Sequence, residues 1–306
     1  MTAAGRDHPS GYRTPEALWT AVQARARTAA PGRATTTSNL QRQFVYDRFL
    51  ERVFTASDGS WVLKGGTALL ARVRTARHSK DIDLFRREGT LETAVGEIRA
   101  AAALDLGDHL NFLPGRFDER GHHEGQPGRH LATLHLDAYA GVKVVVSFTV
   151  DIVTGSVITE EPDRYRPQPA VTVAGMVPTD YLLYPVADHV ADKVCATVEL
   201  HDGRPSSRVR DLVDLVVIAR TQTLGAAALS RAIEAERITR ALDPITGWAS
   251  PPPWSMSYAK VAKNVAECAE HRSHATATAL VEAFLNPVLT GQLQVGTWDP
   301  AALRWQ

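Results

Sequence analysis

The sequence predicts an α/β (α+β) fold, in which a small mixed sheet with flanking helices is followed by a mostly helical C-terminal half. Three observations carry this reading. Two short apolar runs, "WVL" and "DIDLF", bracket a Gly-Gly turn and the short helical stretch "TALLARV". Further on, "HLATLHLDA" alternates, and "VKVVVSFTVDIVTG" has the β-branched enrichment of a sheet centre. After Pro162, long helical patterns take over at 181–201, 207–220, 226–240 and 257–287.

Taken in order, residues 1–36 are rich in Gly, Pro, Thr, Ala and Arg. Apart from a short helical pattern at "PEALWTAVQARAR", they are expected to form a flexible N-terminal segment. A firmer helix is predicted from Ser38, where Ser38 and Gln41 fit a capping box. Leu40, Phe44, Val45 and Val53 then lie on or near one face. "LPGRFDERGHHEGQPGRH" reads as a polar, Gly-rich loop, and a short strand is expected at "AVTVAGM". The join near 160–175 separates a core at 37–165 from a helical domain at 166–306.

The 306 residues suffice for a large core in one or two domains. Formal net charge is +0, so no global basic field draws in nucleic acid, and a polyanion must be met by local basic patches. Cys195 and Cys268 are too few and too separated for a disulfide framework or a zinc site. No apolar run approaches membrane-spanning length and the start lacks a signal core. A cytoplasmic protein with no membrane partner is expected.

Strand geometry sends Asp81 and Asp83 to one face and Ile82 and Leu84 to the core, with the two aspartate Cβ atoms roughly 6–7 Å apart. Carboxylates that close repel unless a cation or water intervenes. Oxygen ligands suit a hard ion, and Mg²⁺ takes one or two protein carboxylates plus substrate phosphates. The alternative is an exposed edge strand whose outward positions happen to be Asp. Three neighbours weigh against it. Gly65 and Gly66, after a strand and before a helix, let backbone N–H groups approach a phosphate, although no Walker A spacing exists here. Asp151 lies with Ser147 and Thr149 on the polar face of a later strand, where it is either a third metal acid or a surface acid. Arg72, Arg74, Arg77, His78, Lys80, Arg86 and Arg87 crowd the same stretch, as a triphosphate or RNA backbone would require and as a solvated face would also show.

"KGGTALLARVRTARHSKDIDL" resembles the K-G-G-T-A-L … R-x-S-x-D-I-D-L signature of the AbiEii/AbiGii-type toxin nucleotidyltransferases. These include the MenT-type toxins and fall in the DNA polymerase β-like superfamily. "ADKVCATVELHDGRPSSRVRDLVDLVVI" resembles the family's later helix with D-K, followed by R-D-x-x-D-L, so the likeness spans roughly 38–290. It implies a nucleotidyltransferase-type core and metal-dependent transfer of a nucleotide from an NTP with loss of pyrophosphate. By the same resemblance Gly65 and Gly66 cradle the triphosphate, with Lys64, Thr67, Arg77 and Ser79 beside them. Asp81 and Asp83 hold Mg²⁺ (or Mn²⁺), and Lys193 and Asp211 belong to the active site. The superfamily's third acid is assigned to Asp151.

Periodicity separately places Lys193 inside an apolar helical arc, near Val186 and Leu200, where a lysine either snorkels or faces anions in a cleft. Asp211 is an active-site acid or a structural partner of a neighbouring arginine. Arg208 and Arg210 contact phosphates or water. Ser79 shares the side of Asp81, so a phosphate there would add nearly two negative charges beside the acids. The resemblance adds that some family members are neutralised at this serine by a partner antitoxin. A turn or capping serine is the plain alternative. His122, His123 and His130 lack zinc-ligand spacing and read as solvated loop residues.

The expected protein is therefore a toxin enzyme that adds NMP to the 3′ end of tRNA, reached through arginines such as Arg72, Arg74, Arg208 and Arg210, and that has a cognate antitoxin. Two rivals stand beside it: transfer to a protein or small molecule, and a regulator that binds NTP without turnover.

Overall fold

The computed structural model describes residues 11–31, 35–120, 130–176, 178–200 and 203–306. Helices α1 (Pro15–Ala29) and α2 (Thr37–Ala56) lead into β1 (Trp61–Lys64), α3 (Gly65–Arg72) and β2 (Asp81–Arg86). Helix α4 (Leu91–Ala102) precedes three long strands, β3 (Leu110–Arg120), β4 (His130–Ala140) and β5 (Lys143–Thr154). With β6 (Asp163–Tyr165) and β7 (Tyr181–Leu183) they form a seven-stranded sheet ordered β3-β4-β5-β2-β1-β7-β6. The sheet is mixed, because β2 pairs parallel with β5 but antiparallel with β1. Helices α1, α2 and α4 cover one face, where Phe49 and Tyr46 meet Phe148 of β5 at ring distances of 5.4 and 5.1 Å.

The helical half follows as α5 (Val186–Val198), α6 (Val209–Thr221), β8 (Leu224–Gly225), α7 (Ala226–Thr239), α8 (Tyr258–Ala262), α9 (His274–Leu289), β9 (Thr297–Asp299) and β10 (Arg304–Trp305). Its core is a separate cluster around Leu212, Val216, Phe284 and Trp298, and α3 joins it through Leu69 and Leu70. Among the described residues, no helix is long and apolar enough to cross a membrane.

Several local expectations are corrected. The segment before residue 36 is not loose throughout, because α1 buries Leu18, Trp19, Val22 and Ala26 in the sheet core. Its apolar spacing is sparse because these four residues stand among Ala, Arg, Gln and Thr. Thr36 rather than Ser38 caps α2, accepting from the Asn39 amide at 3.1 Å. Half of the supposed Gly-rich loop is strand β3, which tolerates Pro114 because it is an edge strand with a register shift there. "AVTVAGM" forms no strand, although Val171 and Val173 are buried against the core. Residues 181–183 are strand, not helix, because Pro185 restrains Tyr184 and α5 starts only after it. The pattern at 257–287 is broken, with Ser273 capping a new helix by accepting from the Thr276 amide.

Candidate active site

β2 lies inside the sheet with a neighbour on each side, so its polar residues cannot simply face water at an edge. Register sets Lys64 of β1 and Asp151 of β5 on either side of Asp83, and Thr149 beside Asp81. Ile82 and Leu84 are fully buried in the core. The carboxylates take the other face, where a cleft of about 700 Å³ opens towards α5 and α6. Lys64, Gly65, Gly66, Arg77, Ser79, Asp81, Asp83 and Asp151 line it from the sheet side, and Lys193, Arg208, Arg210 and Asp211 from the helical side.

Burial pushes the Asp83 carboxyl up to about 7, and the charges of Asp81 and Asp151 add to the shift, against a smaller pull from Lys64 and Arg208. Hydroxyls partner both neighbours: Ser79 donates to Asp81, and Thr133 donates to Asp151 Oδ1 at 2.6 Å. Gly65 has φ +61° and lies so near Asp83 that a Cβ there would stand 2.0 Å from Oδ2. A Cβ on Gly66 would be only tight, 3.3 Å from the Arg77 guanidinium. Gly65→Ala is accordingly expected to lower activity at least about 100-fold by displacing Asp83, with roughly 1–2 kcal/mol of left-handed backbone cost. Gly66→Ala should cost far less. Equal losses in a side-by-side assay of the two variants would contradict the steric account.

A second charged cluster closes the cleft. Lys193 Nζ donates to Asp211 Oδ1 at 2.9 Å and to Asp214 Oδ2 at 2.7 Å. Arg77 grips Asp214 through Nε at 2.8 Å and Nη2 at 2.7 Å, and Arg208 Nε donates to Asp211 at 2.7 Å. Burial alone would lower the Lys193 pKa, but the charges of Asp211 and Asp214 outweigh it and hold the ammonium protonated. Lys193 is thus a caged cation, neither snorkelling nor waiting alone for phosphate.

Not every candidate reaches the cleft. Thr67 is buried and its hydroxyl donates to the Asp81 carbonyl at 2.8 Å, which steadies β2 and leaves no side-chain group for a nucleotide. Arg72 turns away to Asp163 and to the Tyr184 carbonyl, and Arg74 borders a different cavity. Neither lines the acid cleft. His130 opens β4, while His122 and His123 lie outside the described residues.

Two residues escaped the sequence reading. Asp214, fully buried, ties Arg77 of the sheet half to Lys193. It stands at i+3 from Asp211 in "RDLVDL", a spacing that puts both on one helical face and could have flagged it. His189, one turn before Lys193 on α5, also lines the cleft. Its ring is 3% exposed, and Nε2 has no partner among the described residues. Burial, with the Lys193 charge beside it, lowers its pKa to about 3, so the imidazole is neutral.

Among the described residues, no three His, Cys, Asp or Glu side chains already converge as a metal cage. The donor set nevertheless fits Mg²⁺. Two carboxylates leave one face of β2, and Asp83 is raised chiefly by burial and further by the charges of Asp81 and Asp151, which Lys64 and Arg208 offset only in part.

A glycine turn pressed against paired acids on a mixed sheet, faced by a helical half that brings a lysine, has the make-up of a nucleotidyltransferase. Residues 48–297 match the family described as nucleotidyl transferase AbiEii toxin, Type IV toxin–antitoxin system, and the chain belongs to that family. It is an enzyme, a nucleotidyltransferase of a toxin–antitoxin system, and the family implies NTP as substrate and an antitoxin as partner. Two Helicobacter pylori structures are similar to it: JHP933, with a TM-score of 0.42 at 13% identity over 83% of this chain and 94% of that one, and a candidate nucleotidyltransferase, with 0.43 at 13% over 83% and 96%. Comparison with curated proteins gives no match.

Proposed function

We propose that the chain transfers NMP from an NTP to the 3′ end of tRNA, with Mg²⁺ held by Asp81 and Asp83 and with Asp151 beside them. The observation that supports this most is the crowding of Asp83 between Asp81 and Asp151 against a glycine that admits no side chain. When bound, the ion supplies charge neutralisation of the triphosphate and of the attacking oxygen. The acceptor hydroxyl attacks the α-phosphorus in line, the α–β bridging P–O bond breaks, and pyrophosphate leaves. Asp151 takes the hydroxyl proton as general base. Lys193 and Arg77, kept cationic by Asp211 and Asp214, offset charge on the leaving phosphates, while Lys64 and the Gly65–Gly66 backbone border the triphosphate. Arg208 and Arg210, both exposed, meet the RNA backbone. A phosphate on Ser79 would break its bond to Asp81 and repel the triphosphate, a means by which an antitoxin could silence the site.

The test incubates purified protein with total tRNA, Mg²⁺ and each of the four α-labelled NTPs, beside an Asp81→Ala control. Label entering tRNA from one or two NTPs, and lost in the control, supports the reading. Failure with all four, in protein shown to bind NTP, points to a protein or small-molecule acceptor.

A further inference from the structure

A second cavity, of about 420 Å³, lies between α2, α3 and residues 167–170 and shares no lining residue with the acid cleft. Leu40, Leu50, Leu63, Leu70 and Pro169 make its walls largely apolar, and its size falls in the range of small-molecule sites. One carboxylate enters it, that of Asp47. Oδ1 accepts from Gln43 Nε2 at 2.8 Å, and the other oxygen has no partner among the described residues. The cations nearby do not satisfy it. Arg48 is engaged by Asp108 at 2.8 Å and by Glu51. His78 bonds to Thr35 at 2.6 Å and is kept neutral chiefly by burial, and Arg74 is an exposed residue of the cavity wall. Burial pushes the Asp47 carboxyl up to about 7, as befits an acid held without a full counter-charge.

An apolar chamber with one under-partnered carboxylate complements an apolar molecule that carries one cationic head. We propose that this cavity is a binding site for a small apolar amine, its ammonium seated on Asp47. The assignment is independent of the acceptor and of the metal in the cleft. It also has reach. Thr67 lines the cavity while its hydroxyl holds the Asp81 carbonyl, so an occupant touches the segment that leads into the acid strand.

Calorimetric titration of the full chain at pH 8 with 2-phenylethylamine, 2-phenylethanol and 3-phenylpropionate tests the proposal. The amine should bind saturably and about tenfold more tightly than the alcohol, the margin expected for one charge-assisted hydrogen bond in a partly buried site. Asp47→Asn keeps the amide-compatible contact to Gln43. It should cost the amine about tenfold and leave the alcohol unchanged. Ala170→Trp, which fills the chamber from its loop wall, should abolish binding of both. Thermal melts of each variant check folding, and the three probes on the unaltered chain test the charge preference even where a variant fails. Absence of saturable amine binding, tighter binding of the carboxylate, or equal amine affinity for Asp47→Asn or Ala170→Trp would overturn the proposal.

Discussion

Asp83→Asn is expected to reduce nucleotide transfer about a thousandfold or more while making the protein more stable. The two effects share one cause. Asp83 sits between Lys64 and Asp151 in the ladder and beside Asp81 on its own strand. Its ionised form is therefore costly in the protein alone and valuable when a cation is present. Asparagine keeps the shape and removes the charge, so a Mg²⁺ ion held as proposed would lose a ligand worth several kcal/mol in the transition state. The stability gain has a defined pH window. The carboxyl, ordinarily near 3.8, is raised to about 7 in the folded chain. Between those values the folded state holds a proton that the unfolded state has lost, so the native aspartate weakens the fold progressively as pH rises through that interval. The gain from Asn should thus be small near pH 4 and reach a plateau, at least about 1 kcal/mol, above pH 7. Thermal melts at pH 5 and pH 8 with an excess of chelator check the sign. A variant that is less stable than the parent at pH 8 would contradict the crowding argument.

Asp214→Ala is expected to be the most destabilising single change in the cleft, by about 3–5 kcal/mol. Asp214 is fully buried and shared by Lys193 and Arg77, so its removal takes a carboxylate from two largely buried cations. Asp211 still holds Lys193, and Arg77 is left worse off. Burial pushes the Asp214 carboxyl up, but the charges of Lys193 and Arg77 overcome this and bring it down to about 2. Since the folded value lies below the unfolded one, this stabilisation is fully present above about pH 4 and is lost as pH falls through about 2. Asp214→Asn, which retains hydrogen bonds, should cost clearly less than Ala. Chemical denaturation of both variants decides the point, and a loss under 1 kcal/mol for Ala would show that the pair gains little from its shared partner.

Much of the core was legible because its signals are local. The period of two in "DIDLF" separates Asp81 and Asp83 from Ile82 and Leu84, and β-branched residues mark β5. What failed were boundaries and weak elements. Nothing within "AVTVAGM" tells a ladder strand from a buried extended segment, since only a neighbour's hydrogen bonds distinguish them. The strand at 181–183 and the helix after Pro185 share one apolar pattern, and the proline divides them. α1 was underrated because its buried residues Leu18, Trp19, Val22 and Ala26 stand among Ala, Arg, Gln and Thr.

The candidate site divides in the same manner. The residues alone determined a mixed α/β chain, the pairing of Asp81 with Asp83 on one face, and the glycine turn before them, because alternation along a strand and spacing along a helix are set by backbone geometry; the nucleotidyltransferase type came from the motif resemblance. Tertiary structure decided the rest. Only the sheet order brings Asp151 beside Asp83. Only the approach of α5 and α6 to the loop before β2 encloses Lys193 between Asp211 and Asp214 and joins Arg77 to them. It also turned Arg72, Arg74 and the Thr67 hydroxyl away from the cleft and left His189 facing it. The physical reason is range. A pattern in one segment fixes which face a side chain takes, whereas the charge that meets it depends on contacts across 18 to 137 residues of chain.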